Sequence, residues 1–142
     1  MKDKLDSVEI LIETRFRDSS FCIKDICNEF NMSMSSFHEV LSMRYGTTPH
    51  ILIETRKLIE AINLMKENHL RFCAIVSGSG FSTIRTFRRA FERRLGVPPS
   101  KAIEKLRSSS EGDKFHDECI QKLLETGGVN IRGWNQKRGC KK

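Results

Sequence analysis

The chain has 142 residues, 38% of them apolar, which is enough to bury one modest core or two small ones in contact and too little for a separate catalytic domain as well. It has no apolar run of about 18 residues, and Asp3, Asp6 and Glu9 interrupt its start, so neither a membrane span nor a signal peptide is expected and a soluble cytoplasmic protein is. The net charge of +7 is concentrated: residues 70–107 carry nine basic and two acidic side chains, while 1–19 and 20–69 each stand at −1 and the stretch from 108 at +2. Such a surface suits either plain solvation or a polyanionic partner.

Leu5, Val8, Leu11, Ile12, Arg15 and Phe16 recur at helical spacing and predict a first amphipathic helix, closed by the turn formers Asp18, Ser19 and Ser20. Ile23 to Phe30 predicts a short helix with Ile23, Ile26, Cys27 and Phe30 on one face. Asn31 tolerates the left-handed conformation, and Ser33 offers an N-cap oxygen to the next helix. A helix, a left-handed residue and a freshly capped helix make a helix-turn-helix. In the helix after Ser33, Phe37, Val40, Leu41 and Tyr45 cluster inward, and Ser35, His38, Glu39 and Ser42 cluster outward. Gly46 ends it, and Thr48 and Pro49 open a long helix through about Lys66, with Leu58, Ala61, Leu64 and Met65 on its apolar side.

The same plan then returns. Ile26, Cys27, Asn31, Met32 and Ser33 match Ile75, Val76, Gly80, Phe81 and Ser82 at an offset of 49. After one extra residue, Phe37, Leu41, Tyr45, Gly46 and Pro49 match Phe87, Phe91, Leu95, Gly96 and Pro99 at an offset of 50. In this second copy Phe72, Ile75 and Val76 form the buried face of a short helix, Gly80 takes the left-handed position, and Ser82 is the expected cap. Phe87, Ala90, Phe91 and Leu95 then point inward while Arg85, Arg88, Arg89 and Glu92 point outward, with Glu92 able to pair with Arg88 or Arg89. A solvated helix would interleave more acids than one. Arginine on an exposed recognition helix is the side chain that reads guanine O6 and N7 together, so a double-stranded DNA partner is favoured.

Beyond Arg107, Ser108 to Gly112 form a polar linker and Asp113 to Thr126 predicts a short helix with Phe115, Cys119, Ile120, Leu123 and Leu124 apolar. Gly127 and Gly128 end it before a basic tail with Arg132, Trp134, Lys137, Arg138, Lys141 and Lys142. The helix either packs on the domain or binds a partner, and the tail is either unstructured or grasps phosphate. The five cysteines contain no CxxC pair, so a reducing compartment is expected, with Cys27 and Cys73 as buried thiols. His116 and Cys119 share a helix face, yet two ligands make no metal site. His38, His50, His69 and His116 are scattered, and neither an acid pair nor a phosphate loop accompanies them, so no catalytic, cofactor-binding or metal-binding residue is assigned and no enzyme is expected.

The expected fold is all-α, two helix-turn-helix subdomains joined by a long linker helix in a homeodomain-like pair. Its divisions are an N-terminal helix (1–19), the first helix-turn-helix (20–49), the linker helix (50–67), the second helix-turn-helix (68–107) and a short helix with a basic tail (108–142). Ile26 to Gly46, then Thr48, Pro49, Lys57, Leu58 and Ala61, then Ile75, Gly80, Phe81, Ser82, Phe87, Arg89, Phe91, Gly96, Val97 and Pro99 resemble the DNA-binding domain of the AraC/XylS family. The resemblance spans roughly residues 5 to 107 and is most specific over 80–99. It implies a bacterial transcription regulator in the nucleoid, an activator for the most part, whose two recognition helices enter successive major grooves about 34 Å apart.

Carried over by position, Ser35, His38, Glu39 and Ser42 are the DNA-facing candidates of the first motif, and Ile84, Arg85, Arg88 and Arg89 those of the second. RNA polymerase is a further partner that the resemblance implies, and two unequal recognition helices on one chain suggest a monomer on DNA. Glu39 departs from a purely basic surface, where it could accept from cytosine N4. Val76 stands in place of the usual alanine, Ser77, Gly78 and Ser79 weaken the supporting helix, and Pro98 occupies a capping position. The short stretch before the first motif leaves no room for an effector pocket of the usual kind and suggests a small single-domain member. The alternatives are the DNA-binding fragment of a larger effector-responsive regulator and a helical protein-interaction module.

Overall fold

A computed structural model describes residues 2–67 and 69–126, among which there are eight helices and no strand. They are α1 (Lys2–Arg15), α2 (Ile23–Phe30), α3 (Met34–Tyr45), α4 (Pro49–Met65), α5 (Phe72–Gly78), α6 (Ile84–Leu95), α7 (Pro99–Leu106) and α8 (Gly112–Thr126). The inward assignment of Leu5 and Tyr45 concerns side chains outside the described ones, and the basic tail lies outside the described residues.

Both helix-turn-helix corners close in the same way. Asn31 has φ 54° and Gly80 φ 96°, and the N–H groups of Met32 and Phe81 reach back to the carbonyls of Cys27 and Val76 at 2.9 and 3.3 Å. A left-handed residue followed by this long-reaching bond satisfies carbonyls that a helix end otherwise leaves bare. Gly80 is further constrained, because a Cβ there would sit 2.1 Å from the carbonyl oxygen of Phe16 at the end of α1. The second corner therefore rests on the first unit.

The helix starts correct one expectation. Ser33 Oγ accepts from Ser36 N at 3.1 Å, but α6 is capped by Thr83, whose Oγ1 accepts from Thr86 N at 3.0 Å; Ser82 lies one residue outside. The extra residue of the second copy thus precedes the cap, and the offset of 50 already holds from Ser33 and Thr83 onward. Thr48 caps α4 through Ile51 N at 3.3 Å, whereas its counterpart Pro98 begins α7 without a side-chain bond.

One continuous core runs through both copies, from Val8, Ile12 and Phe16 of α1 to Phe87 and Phe91 of α6 and Leu123 of α8. Helix α4 is its axis: it packs on α1, α3, α5 and α8 and buries Leu52, Leu58, Ile62 and Met65 completely. Each such side chain contributes about 1.5–3 kcal/mol relative to exposure. The α8 helix covers α4, α6 and α7 with buried Cys119, Ile120, Leu123 and Leu124, so its apolar side is spent on the chain's own core. His116 is also buried there, its Nε2 bonded to Asn63 Oδ1 at 2.6 Å. Burial pushes the Cys119 thiol up to about 11. Cys27 is buried as expected; Cys73 is exposed, because it falls on the outer side of the short α5.

Candidate nucleic-acid interface

The inner stripe of α6 fixes what its outer stripe presents. Phe87 and Phe91 are fully buried and Ala90 and Leu95 nearly so. Phe87 packs against Phe72, Phe81 and Phe91 with ring centroids 5.7, 5.2 and 5.5 Å apart in edge-on or tilted geometry, the arrangement that aromatic quadrupoles prefer. With that side locked, Arg85, Arg88 and Arg89 project to solvent on the opposite one. Ile84 opens the helix at 41% exposure, beside them.

Among the described residues these three arginines have no carboxylate within ion-pair distance. Glu92, which the helical spacing allows to pair with Arg88 or Arg89, is within ion-pair distance of neither. Arg88 instead lies over the Phe72 ring, 5.8 Å from its centroid. Guanidiniums left with their donors unspent on a rigid helix can each offer a bidentate fork to a planar acceptor pair.

On α3, Phe37 and Leu41 are fully buried, and Ser35, Glu39 and Ser42 are exposed while His38 is half-buried. Each sequence-derived candidate therefore lies on the accessible side of its own helix, the first set polar and the second cationic. Met34, unmentioned in the sequence reading, is 44% exposed at the position equivalent to Ile84. Placing the offset of 50 at the cap would have found it.

Two arginines near the helix ends serve a different purpose. Arg94, at 9% exposure, donates from Nη1 to Glu54 Oε1 at 2.8 Å and from Nη2 to Thr55 Oγ1 at 2.8 Å and the Leu123 carbonyl at 3.1 Å. Arg93 binds the other oxygen of Glu54 at 2.5 Å. Lys122 donates to the Leu95 carbonyl at 3.3 Å. These contacts moor the C-terminal end of α6 to α4 and α8. Arg44, the counterpart of Arg94 in the first copy, reaches Glu9 of α1 at 3.4 Å, so the same arginine ties each recognition helix to the helix that opens its unit.

The linker is anchored at its middle and at its C-terminal end. Arg56, 1% exposed, forms a fork to Glu13 at 2.6 and 2.9 Å and lies 4.1 Å over the Phe16 ring. Arg107 donates to the carbonyls of Met65, Glu67 and Leu70 at 2.8, 2.6 and 3.1 Å, serving acceptors at and just beyond the end of α4. No group of histidine, cysteine or acidic residues among the described ones could hold a metal ion, and no described helix is long and apolar enough to cross a membrane.

Comparison with known proteins extends this geometry. A family model described as a helix-turn-helix domain matches residues 26–105. The chain is 29% identical over 80 residues to the HTH-type transcriptional regulator ExsA of Pseudomonas aeruginosa, covering 56% of this chain and 29% of that protein. It is 29% identical over 80 residues to the virulence regulon transcriptional activator VirF of Yersinia enterocolitica, with 56% and 30% covered. To the HTH-type transcriptional regulator Rv1931c of Mycobacterium tuberculosis it is 32% identical over 79 residues, again covering 56% and 30%. The matched part thus spans about three tenths of these relatives. No solved structure matches the chain.

Proposed function

The chain belongs to the AraC/XylS family of helix-turn-helix regulators, and on that premise we propose that it is a DNA-binding transcription activator that occupies one bipartite, asymmetric site as a monomer. In this reading α3 and α6 lie in successive major grooves. Arg85, Arg88 and Arg89 supply guanine readout and most of the electrostatic grip, with Ile84 as an apolar contact for a thymine methyl. Ser35, His38, Glu39 and Ser42 adjust specificity in the other groove. Exposed Arg71 and Lys101, at the starts of α5 and α7, add phosphate contacts beside α6.

The single observation that carries the reading is the outer stripe of α6: three arginines on one rigid face without acid partners. As an activator it would touch RNA polymerase from a surface away from the two recognition helices. A second reading, favoured by the greater length of the relatives, makes these residues the DNA-binding part of a longer effector-responsive regulator.

Selection of sites from random duplex DNA tests the proposal directly. One asymmetric consensus with a guanine-rich half is expected, together with an affinity whose logarithm falls against log salt by about 0.9 per phosphate contacted. A salt-independent interaction without a consensus would overturn it.

A further inference from the structure

A recess of about 280 Å³ opens between the two units. Its apolar walls come from three separate stretches: Phe21 and Ile23 at the start of α2, Ile53 on α4, and Phe81 in the second corner. All four side chains belong to the core yet border this space. Inside it lies Lys57, half-buried, with its Nζ 5.6 Å from the centroid of the Phe81 ring.

The ammonium has no hydrogen-bond acceptor or carboxylate within bonding distance among the described residues. Two acids act on its charge, Glu54, which also lines the recess, and Asp18, and both are committed elsewhere. Glu54 gives one oxygen to Arg93 and the other to Arg94. Asp18 accepts from the Ser20 amide and hydroxyl at 3.0 and 2.7 Å, and its other oxygen faces Arg15 at 3.6 Å. Burial holds the Lys57 ammonium below its ordinary range, so the charged form is short of solvent as well as of partners. At the mouth, Ser82 offers an exposed hydroxyl.

We propose that this recess between the helix-turn-helix units is a binding site for a small amphipathic carboxylate, its apolar body against Phe21, Ile23, Ile53 and Phe81 and its head group on Lys57. The volume falls just under the ~300–1,000 Å³ of drug-sized pockets, so a compact organic acid fills it. A DNA phosphate would satisfy the lysine but leave the four apolar walls facing a sugar and a charged backbone. Because the walls belong to both units, the occupant would set how they sit against each other.

Octanoate and its neutral isostere octanamide probe the site on the full chain without DNA, so failure here is distinct from failure of the DNA reading. With isoleucine methyls labelled for NMR, octanoate should shift Ile23 and Ile53 saturably, and octanamide should bind about tenfold more weakly. Lys57→Met should abolish that preference, and Lys57→Arg should keep it. Equal binding of the two probes by the parent, or no saturable shift at either isoleucine, overturns the proposal. So does a Lys57→Met variant that, with no octanoate present, loses DNA affinity and about 0.9 of the salt slope, since the lysine would then be a phosphate contact.

Discussion

The first and second recognition helices share a backbone plan and differ in how they are held. Around α3 the described fixings include a 3.4 Å pair between Arg44 and Glu9, a serine cap, and fully buried Phe37 and Leu41. Around α6 they are heavy: Arg94 buried among Glu54, Thr55 and Leu123, a cluster of four phenylalanines, and Gly80 pressed on the Phe16 carbonyl. The stiffer mounting carries the arginines. A bidentate reader gains discrimination only when its fork arrives in a fixed orientation, and like-charged side chains on one stripe push against any looseness. The two copies share one scaffold, and rigidity and charge fall in the same copy.

The largest effect should come from breaking the heavier mounting. Arg94→Ala leaves the buried Thr55 hydroxyl and Leu123 carbonyl without their donor, while Arg93 still holds Glu54, and should cost about 2–3 kcal/mol in urea unfolding, whereas Arg44→Ala, in a more exposed pair, should cost about 1 kcal/mol or less. Equal losses would erase the distinction between the copies. Gly80→Ala combines left-handed strain with a backbone clash and should cost about 3 kcal/mol, while Asn31→Gly should stay within about 0.5 kcal/mol in the same assay.

On DNA, Arg85→Ala or Arg89→Ala should remove about 1–3 kcal/mol of discrimination at one base pair, read by competition with point-substituted duplexes. Ser35→Ala or Ser42→Ala should remove about 1 kcal/mol or less. A serine variant that loses as much as an arginine variant would refute the division of labour. Smaller still, Thr48→Ala should cost about 1 kcal/mol and Pro98→Thr should return about 0.5 kcal/mol in thermal unfolding, since only the first copy has a hydroxyl at this cap. Finally, a thiol reagent at pH 8 should label exposed Cys73 of α5 and spare Cys27 of α2; Cys119, with its thiol at about 11, should also stay unlabelled.

Local chemistry made much of this legible. The 3.6-residue period separated Phe37 and Leu41 from Ser35 and Glu39, and Phe87 and Phe91 from Arg85 and Arg89. Asn31 and Gly80 announced left-handed corners because few other residues tolerate them. Ser82 was mistaken for the cap because two adjacent hydroxyls offer the same chemistry, and spacing alone does not locate an inserted residue. The roles of Arg44 and Arg94 were illegible for another reason. Their partners, Glu9 and Glu54, lie 35 and 40 residues away, and an arginine on a basic helix looks solvated until the fold brings a carboxylate to it. The packing of α8 was likewise one of two readings that its amphipathic pattern allowed.

Helix α4 closes one unit and opens the next, and this sharing works as a gear. Adding a single residue within it would advance everything beyond by about 1.5 Å and turn it by about 100°, swinging the arginine face of α6 out of phase with α3. Among the described residues the two units share this helix and one continuous core, so the spacing between α3 and α6 follows the helix's own pitch. On the DNA reading its repertoire of targets is set by a fixed pitch, and new promoters would be acquired by changing bases within that pitch rather than by stretching it.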